Sequence, residues 1–149
     1  MTVPHLFQAS EQTCGAACLR MLFAAMGVLR DEATIAKCCE MTALGCTVQD
    51  LVRGAQSMGL NAEVLPIRRE TEAIAALSNS APFVAMIDLA NMYGRGLMFQ
   101  WHFVVMLALA DDNVTFHDPA DGPNRRVTLE QFLAGWASSA YRGVRVWTP

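Results

Sequence analysis

Charge is scarce in this sequence and nowhere gathered. Only 17% of the 149 residues are charged, 11 basic against 14 acidic, and no basic stripe runs along the chain. That excludes nucleic acid as the main partner, since such proteins concentrate cations on one face. No apolar run reaches the roughly 18 residues that cross a bilayer, so direct membrane insertion is excluded too. The start, Met1-Thr2-Val3-Pro4-His5, lacks the basic and apolar blocks of a secretory signal. A cytoplasmic location is therefore expected. Repeats, linkers and low-complexity segments are missing as well, and one domain over residues 1–149 is the expected organisation. The cysteines are odd in number (Cys14, Cys18, Cys38, Cys39 and Cys46) and lack paired CxxC spacing. Free thiols are expected, with no metal site.

What is present is apolar and ordered by period. Hydrophobic residues make up 53% of the chain, which excludes disorder. From Cys14 to Val28 the only charge is Arg20, so this stretch reads as a buried central helix, with Thr13 as N-cap and Gly27 as its end. Residues 4–13 before it read as an extended or irregular lead-in. Asp31 and Glu32 open a second helix to about Glu40. Thr47 caps a third from Val48 to Met58, stopped at Gly59.

The period then changes. Strands are expected at 61–67, 82–88, 101–110, 114–118 and 143–148, and a short helix at 70–77. Residues 119–124 read as a loop. Thr128 and Gln131 form a capping box for a helix to about Trp136. Helices first and antiparallel strands after make an α+β fold.

Chemistry concentrates at Gln8-Ala9-Ser10-Glu11-Gln12-Thr13-Cys14. A cysteine at a helix N-terminus sits where unpaired amide N–H groups favour a thiolate. Such a nucleophile needs a base, and the base an orienting group. A short turn joins strands 101–110 and 114–118 into a hairpin that sets His102 opposite Asp118, within a few residues of register. Side chains alternate along a strand, so if Asp118 faces His102, His117 faces away. The set is then Cys14 as nucleophile, His102 as base and Asp118 as the carboxylate that orients it. Gln8 has an amide able to donate to an oxyanion. Each residue also has a structural reading: a buried small thiol, a satisfied core histidine, a turn-opening aspartate and a solvated glutamine.

The segments Gln8–Gly27 (QASEQTCGAACLRMLFAAMG), Gly45–Gly59, His102–Met106 (HFVVM) and Asp118-Pro119 with Gly122 resemble, in this order, the bacteriocin-processing cysteine peptidases. These are papain-like domains of peptidase-containing ABC transporters and their stand-alone relatives. The resemblance covers nearly the whole chain. It implies a papain-like fold, with a helical half packed on an antiparallel sheet. It implies Cys14, His102 and Asp118 as catalytic triad, and Gln8 rather than Gln12 as oxyanion donor, from its six-residue spacing to the cysteine. It implies a peptide or protein substrate cut after a double-glycine-type leader, an ABC transporter as associate, the cytoplasmic face of the membrane as location in that case, and no cofactor or metal.

Three features depart from the family pattern. Thr13 stands where an acidic residue is common, the approach at 89–100 (LANMYGRGLMFQ) is long, and Trp101 precedes the histidine. Met92, Met98 and Phe99 in that approach either offer an apolar contact for an amphipathic peptide or close over the core. Two other readings stay open: a papain-like protease, deamidase or toxin with another protein substrate, and a non-catalytic leader-binding module.

Overall fold

The computed structural model describes residues 2–96 and 98–149. Its centre is helix α1, Cys14–Ala25. Ala16, Ala17, Cys18, Leu19, Met21 and Phe23 are wholly shielded from solvent. Burying a large apolar side chain of this kind contributes about 1.5–3 kcal/mol. Within the lead-in that read as extended or irregular, the helix is entered through a 3-10 turn, Glu11–Thr13. Thr13 is not a side-chain cap: its hydroxyl donates to the Ser10 carbonyl (3.0 Å) and accepts from the Ser10 N–H (3.1 Å). Gly27 ends the helix as expected, in the left-handed region at φ 79°.

Helix α2 (Glu32–Cys38) is capped by Asp31, whose side chain accepts from Thr34 N–H (2.7 Å). Helix α3 (Val48–Ser57) carries the Thr47–Asp50 capping box. Both pack beside α1, and all three bury their apolar residues in one cluster with Phe103, Val105 and Val144 of the sheet.

The sheet has six strands: β1 (Asn61–Val64), β2 (Phe83–Asp88), β3 (Trp101–Ala110), β4 (Asn113–Asp118), β5 (Gly122–Thr128) and β6 (Gly143–Trp147). Their spatial order is β1-β6-β2-β3-β4-β5, and every pair is antiparallel. The second face is covered by α4 (Glu70–Asn79), the one-turn α5 (Leu89–Met92) and α6 (Leu129–Ala137). Phe83, Val104, Met106, Phe116, Phe132 and Trp136 form a second core there. Along β3, Phe103, Val105 and Leu107 thus serve one core and Val104 and Met106 the other, the two-faced burial expected of an apolar strand, and past the register shift at Met106–Ala108 Leu109 packs on the second core. Gly135 lets α6 sit close: a Cβ there would lie 2.8 Å from Ile87 Cγ2 and 3.0 Å from the Asp88 carbonyl.

The α+β expectation stands, with two corrections. Residues 122–128, read partly as loop, form edge strand β5. Its central residues are exposed and charged, so no alternation marks it, and Pro123 is tolerated at an edge. The approach at 89–100 is not all loop, since Leu89–Met92 makes one helical turn.

Candidate active site

The hairpin β3–β4 brings the histidine and the aspartate together. Its ladder pairs Ala110 with Asn113 and, at the open end, Val105 with His117. His102 and Asp118 lie beyond this last pair, two residues off direct opposition when the ladder is extended. A two-residue offset keeps side-chain parity, and the side chains meet: His102 Nε2 lies 2.7 Å from Asp118 Oδ1. Both are buried, at 8% and 3% exposure. Asp118 Oδ1 also accepts from the N–H groups of Ala120 (2.8 Å) and Asp121 (3.2 Å).

Cys14, the first residue of α1, shares a cavity lining with His102 and is close enough to raise the pKa of its imidazole. Nε2 faces Asp118, which leaves Nδ1 for the sulfur. Burial alone would make His102 a weaker base. The hydrogen bonds and charges of Asp118 and Cys14 outweigh it and lift the imidazole to about 9. Burial likewise works against the Asp118 carboxylate, but the His102 bond and charge and the two backbone N–H groups hold its pKa below the ordinary value. Cys18, one turn along, is fully buried. Burial, then the nearby Cys14 and Asp118, push its thiol well above the ordinary value, so it behaves as a packing residue.

A cavity of about 180 Å³ opens over this group, lined by Gln12, Cys14, Leu44, Cys46, Met86, Trp101, His102 and Phe103, among others. Gln8 is not in that lining. Its Nε2 donates to the Ser10 carbonyl (2.8 Å), while Oε1 is buried without a partner. A carbonyl only accepts, so Nε2 is correctly placed and Oε1 is the orphan.

The structure adds residues that sequence reasoning passed over. Gln8 N–H donates to the Pro119 carbonyl (2.8 Å), and Glu32 accepts Ala9 N–H with both oxygens (2.9 and 3.2 Å). Glu32 had looked like an ordinary acid in a helix's first turn. His5 Nε2 donates to the main-chain carbonyl of Asp118 (2.7 Å). His117 donates from Nε2 to the Val3 carbonyl (2.8 Å) and accepts Asn124 N–H at Nδ1 (3.1 Å). His117 thus fastens the N-terminal strap, apart from the His102–Asp118 pair. Burial, then the neighbouring His5, lowers its pKa. Long-range pairings of this kind leave no local signal in the sequence.

Beside the site, Asp88 is buried and its Oδ1 accepts from Ala90 N–H (3.1 Å) and Gln100 N–H (2.9 Å), closing the base of the approach to His102. Met92 is core, not contact surface. Met98 and Phe99 are exposed, and Phe99 stacks on Trp101 with centroids 5.2 Å apart. Among the described residues, no three of His, Cys, Asp and Glu are placed to hold a metal ion. No helix among them is long and apolar enough to cross a membrane.

A family profile for the peptidase C39 family matches residues 2–141. An uncharacterized protein of Methanothermobacter marburgensis is 30% identical over 120 residues, which cover 77% of this chain and 70% of that one. The fold is similar to the peptidase domain of Streptococcus ComA, a bi-functional ABC transporter of a quorum-sensing pathway, at a TM-score of 0.80 and 16% identity over 99% of this chain and 100% of that one. It is similar to a double glycine motif protease of an AMS/PCAT transporter, solved with its leader peptide, at 0.79 and 18% over 99% and 93%. It is also similar to a putative C39-like peptidase of Bacillus anthracis, at 0.76 and 15% over 99% and 96%. With the profile matched along nearly its whole length, the chain belongs to the peptidase C39 family and is a cysteine peptidase.

Proposed function

We propose that this peptidase cuts a peptide precursor after a double-glycine-type leader, through an acyl-enzyme on Cys14. The observation that carries the reading is the 2.7 Å His102–Asp118 pair with Cys14 beside His102 in the same cavity. His102 takes the Cys14 proton as general base, which gives the thiolate and the imidazolium. The thiolate attacks the scissile carbonyl carbon. The oxyanion so formed takes hydrogen bonds from the helix-start N–H and from Gln8, once its amide leaves the Ser10 carbonyl. His102 gives its proton to the departing amine, and a thioester remains on Cys14. Water then loses a proton to His102, attacks the thioester and releases the leader acid. Asp118 holds the ring in place throughout.

The small cavity supports the glycine preference. The cavity holds only about 180 Å³ and Leu44, Met86, Trp101 and Phe103 are in its lining with Cys14, which favours a small residue at the cut bond. The relatives with double-glycine or transporter functions point the same way, and with them to association with an ABC transporter on its cytoplasmic side. A peptide bearing a double-glycine leader should be cut, and Cys14→Ala should leave no cutting. Undiminished cleavage by that variant would refute the assignment.

One observation favours a second reading, a protease, deamidase or toxin with another protein substrate. The exposed Met98 and the Phe99–Trp101 stack beside His102 form an approach unlike the family's. A peptide-library cleavage profile decides: glycine enrichment on the acyl side supports the leader reading, and no enrichment supports the other.

A further inference from the structure

The widest cavity described lies away from the sulfur, on the face of the sheet opposite α1. It measures about 790 Å³, within the roughly 300–1,000 Å³ of known ligand sites. Helices α4 and α6, the β3–β4 turn and Tyr141 enclose it. Its floor is apolar: Ile74, Leu129, Leu133, Ala134, Ala137 and Tyr141. Its rim is acidic, with Glu70, Asp111, Asp112 and Glu130 all exposed.

Acidic residues gather there. Five acids elsewhere are paired, Glu40 and Asp50 with Arg53, Glu72 with Arg69, Asp121 with Arg125 and Glu63 with Arg145, while the exposed Glu11 and Asp31 stand singly without an ion pair among the described residues. None of the four rim carboxylates has a salt-bridge partner among the described residues, and no basic residue is in the lining. Four negative charges thus surround an apolar floor in a chain whose total is only −3. Two of them sit on a turn with φ of 53° and 60°, at Asp111 and Asp112, where glycine and asparagine are the easier residues. Apolar floor and uncompensated rim together specify an occupant with an apolar ridge flanked by cations.

We propose that this groove between α4 and α6 is a docking site for a basic amphipathic helix of a protein partner, separate from the peptidase cavity. The partner's aliphatic ridge lies on Ile74, Leu133 and Tyr141, and its Lys or Arg side chains reach Glu70, Asp111, Asp112 and Glu130. A groove lined by carboxylates repels an anionic membrane surface or an acidic peptide, so the sign of the charge selects the occupant. The sheet separates this groove from Cys14, so occupancy leaves the cleaving residues free.

The test uses a synthetic 16-residue Leu/Lys helix, an isosteric Leu/Glu helix and the full chain. Anisotropy titration at 50 and 200 mM salt should show the Leu/Lys peptide binding, more weakly at the higher salt, and the Leu/Glu peptide not binding. The triple variant Asp111→Asn, Asp112→Asn, Glu130→Gln should bind at least tenfold more weakly while keeping its melting temperature and peptidase activity. Asparagine tolerates the left-handed turn, so folding is preserved. Ala137→Trp should weaken binding without changing charge, by filling the floor. Glu11→Lys, at the mouth of the peptidase cavity, should bind like the parent. Equal affinity for the triple variant, loss in Glu11→Lys instead, or self-association that the triple variant abolishes would overturn the proposal.

Discussion

The two sides of the candidate site are finished to different degrees. On the base side Asp118 is fully engaged: one carboxylate oxygen takes His102 and two backbone N–H groups, and its own carbonyl takes His5. On the oxyanion side Gln8 spends its donor on Ser10 and leaves a buried oxygen alone. An unsatisfied buried acceptor costs roughly 1–3 kcal/mol. The difference teaches that, under the proposed roles, the base side is assembled in advance while the proposed oxyanion donor is engaged on Ser10. Main-chain bonds fix the loop that carries it, through Pro119 and Glu32, so only the amide has to turn.

The largest way to break this comparison is at its finished side. Asp118→Asn should keep the fold and lower kcat by about 10³–10⁴, as expected when an orienting carboxylate is lost and the imidazole takes the wrong tautomer. Steady-state kinetics check it, and a drop below tenfold would mean the preassembled side is not catalytic. Gln8→Ala comes next, with a loss of about 10²–10³ in kcat at little change in KM, the signature of a donor engaged only in the transition state. It should also raise the melting temperature or leave it unchanged, because the orphaned oxygen disappears. His5→Phe keeps the ring packing on Phe7 and His117 but deletes the bond to the Asp118 carbonyl. A loss of about fivefold in kcat is expected, equivalent to one hydrogen bond of about 1 kcal/mol.

The smallest effect is on stability against pH. The pKa of His102 is raised from an unfolded value of about 6.5 to about 9 in the fold. Its contribution is therefore complete below about pH 6.5 and lost as pH rises through about 9. Asp118 is shifted downward, so its contribution is present above its unfolded value near 4 and lost as the solution is acidified below that. Melting temperature should accordingly form a plateau in between, shifting by a few degrees at each end. Asp118→Asn should flatten both limbs. A profile unchanged by that substitution would show that the pair is not coupled to folding.

The sequence showed the base side better than the oxyanion side, for a physical reason. The hairpin is local: an unbroken apolar run, a two-aspartate turn and a returning strand set His102 and Asp118 on matching parity, and a register error of two residues did no harm. Helix limits were legible at Gly27, Gly59, Thr47 and Thr128, because glycine and capping residues act on their own neighbours. The lead-in was not. Its path is tied to Glu32 through Ala9, a contact across 23 positions that leaves no local signal. Edge strand β5 was hidden because it buries almost nothing between Gly122 and Val127. For Met92 the core reading holds, because one helical turn at Leu89–Met92 places it in the second core while Met98 and Phe99 stay exposed.

The stacked pair at the approach has an optical consequence. Trp101 is 44% exposed, lies face to face with Phe99, and neighbours the one imidazole held protonated by its surroundings. Trp136, by contrast, is wholly enclosed and donates its indole N–H to the Arg142 carbonyl. A peptide settling over the sulfur therefore changes the emission of Trp101 while the enclosed indole stays constant. The enzyme carries its own occupancy gauge, readable in real time without a label.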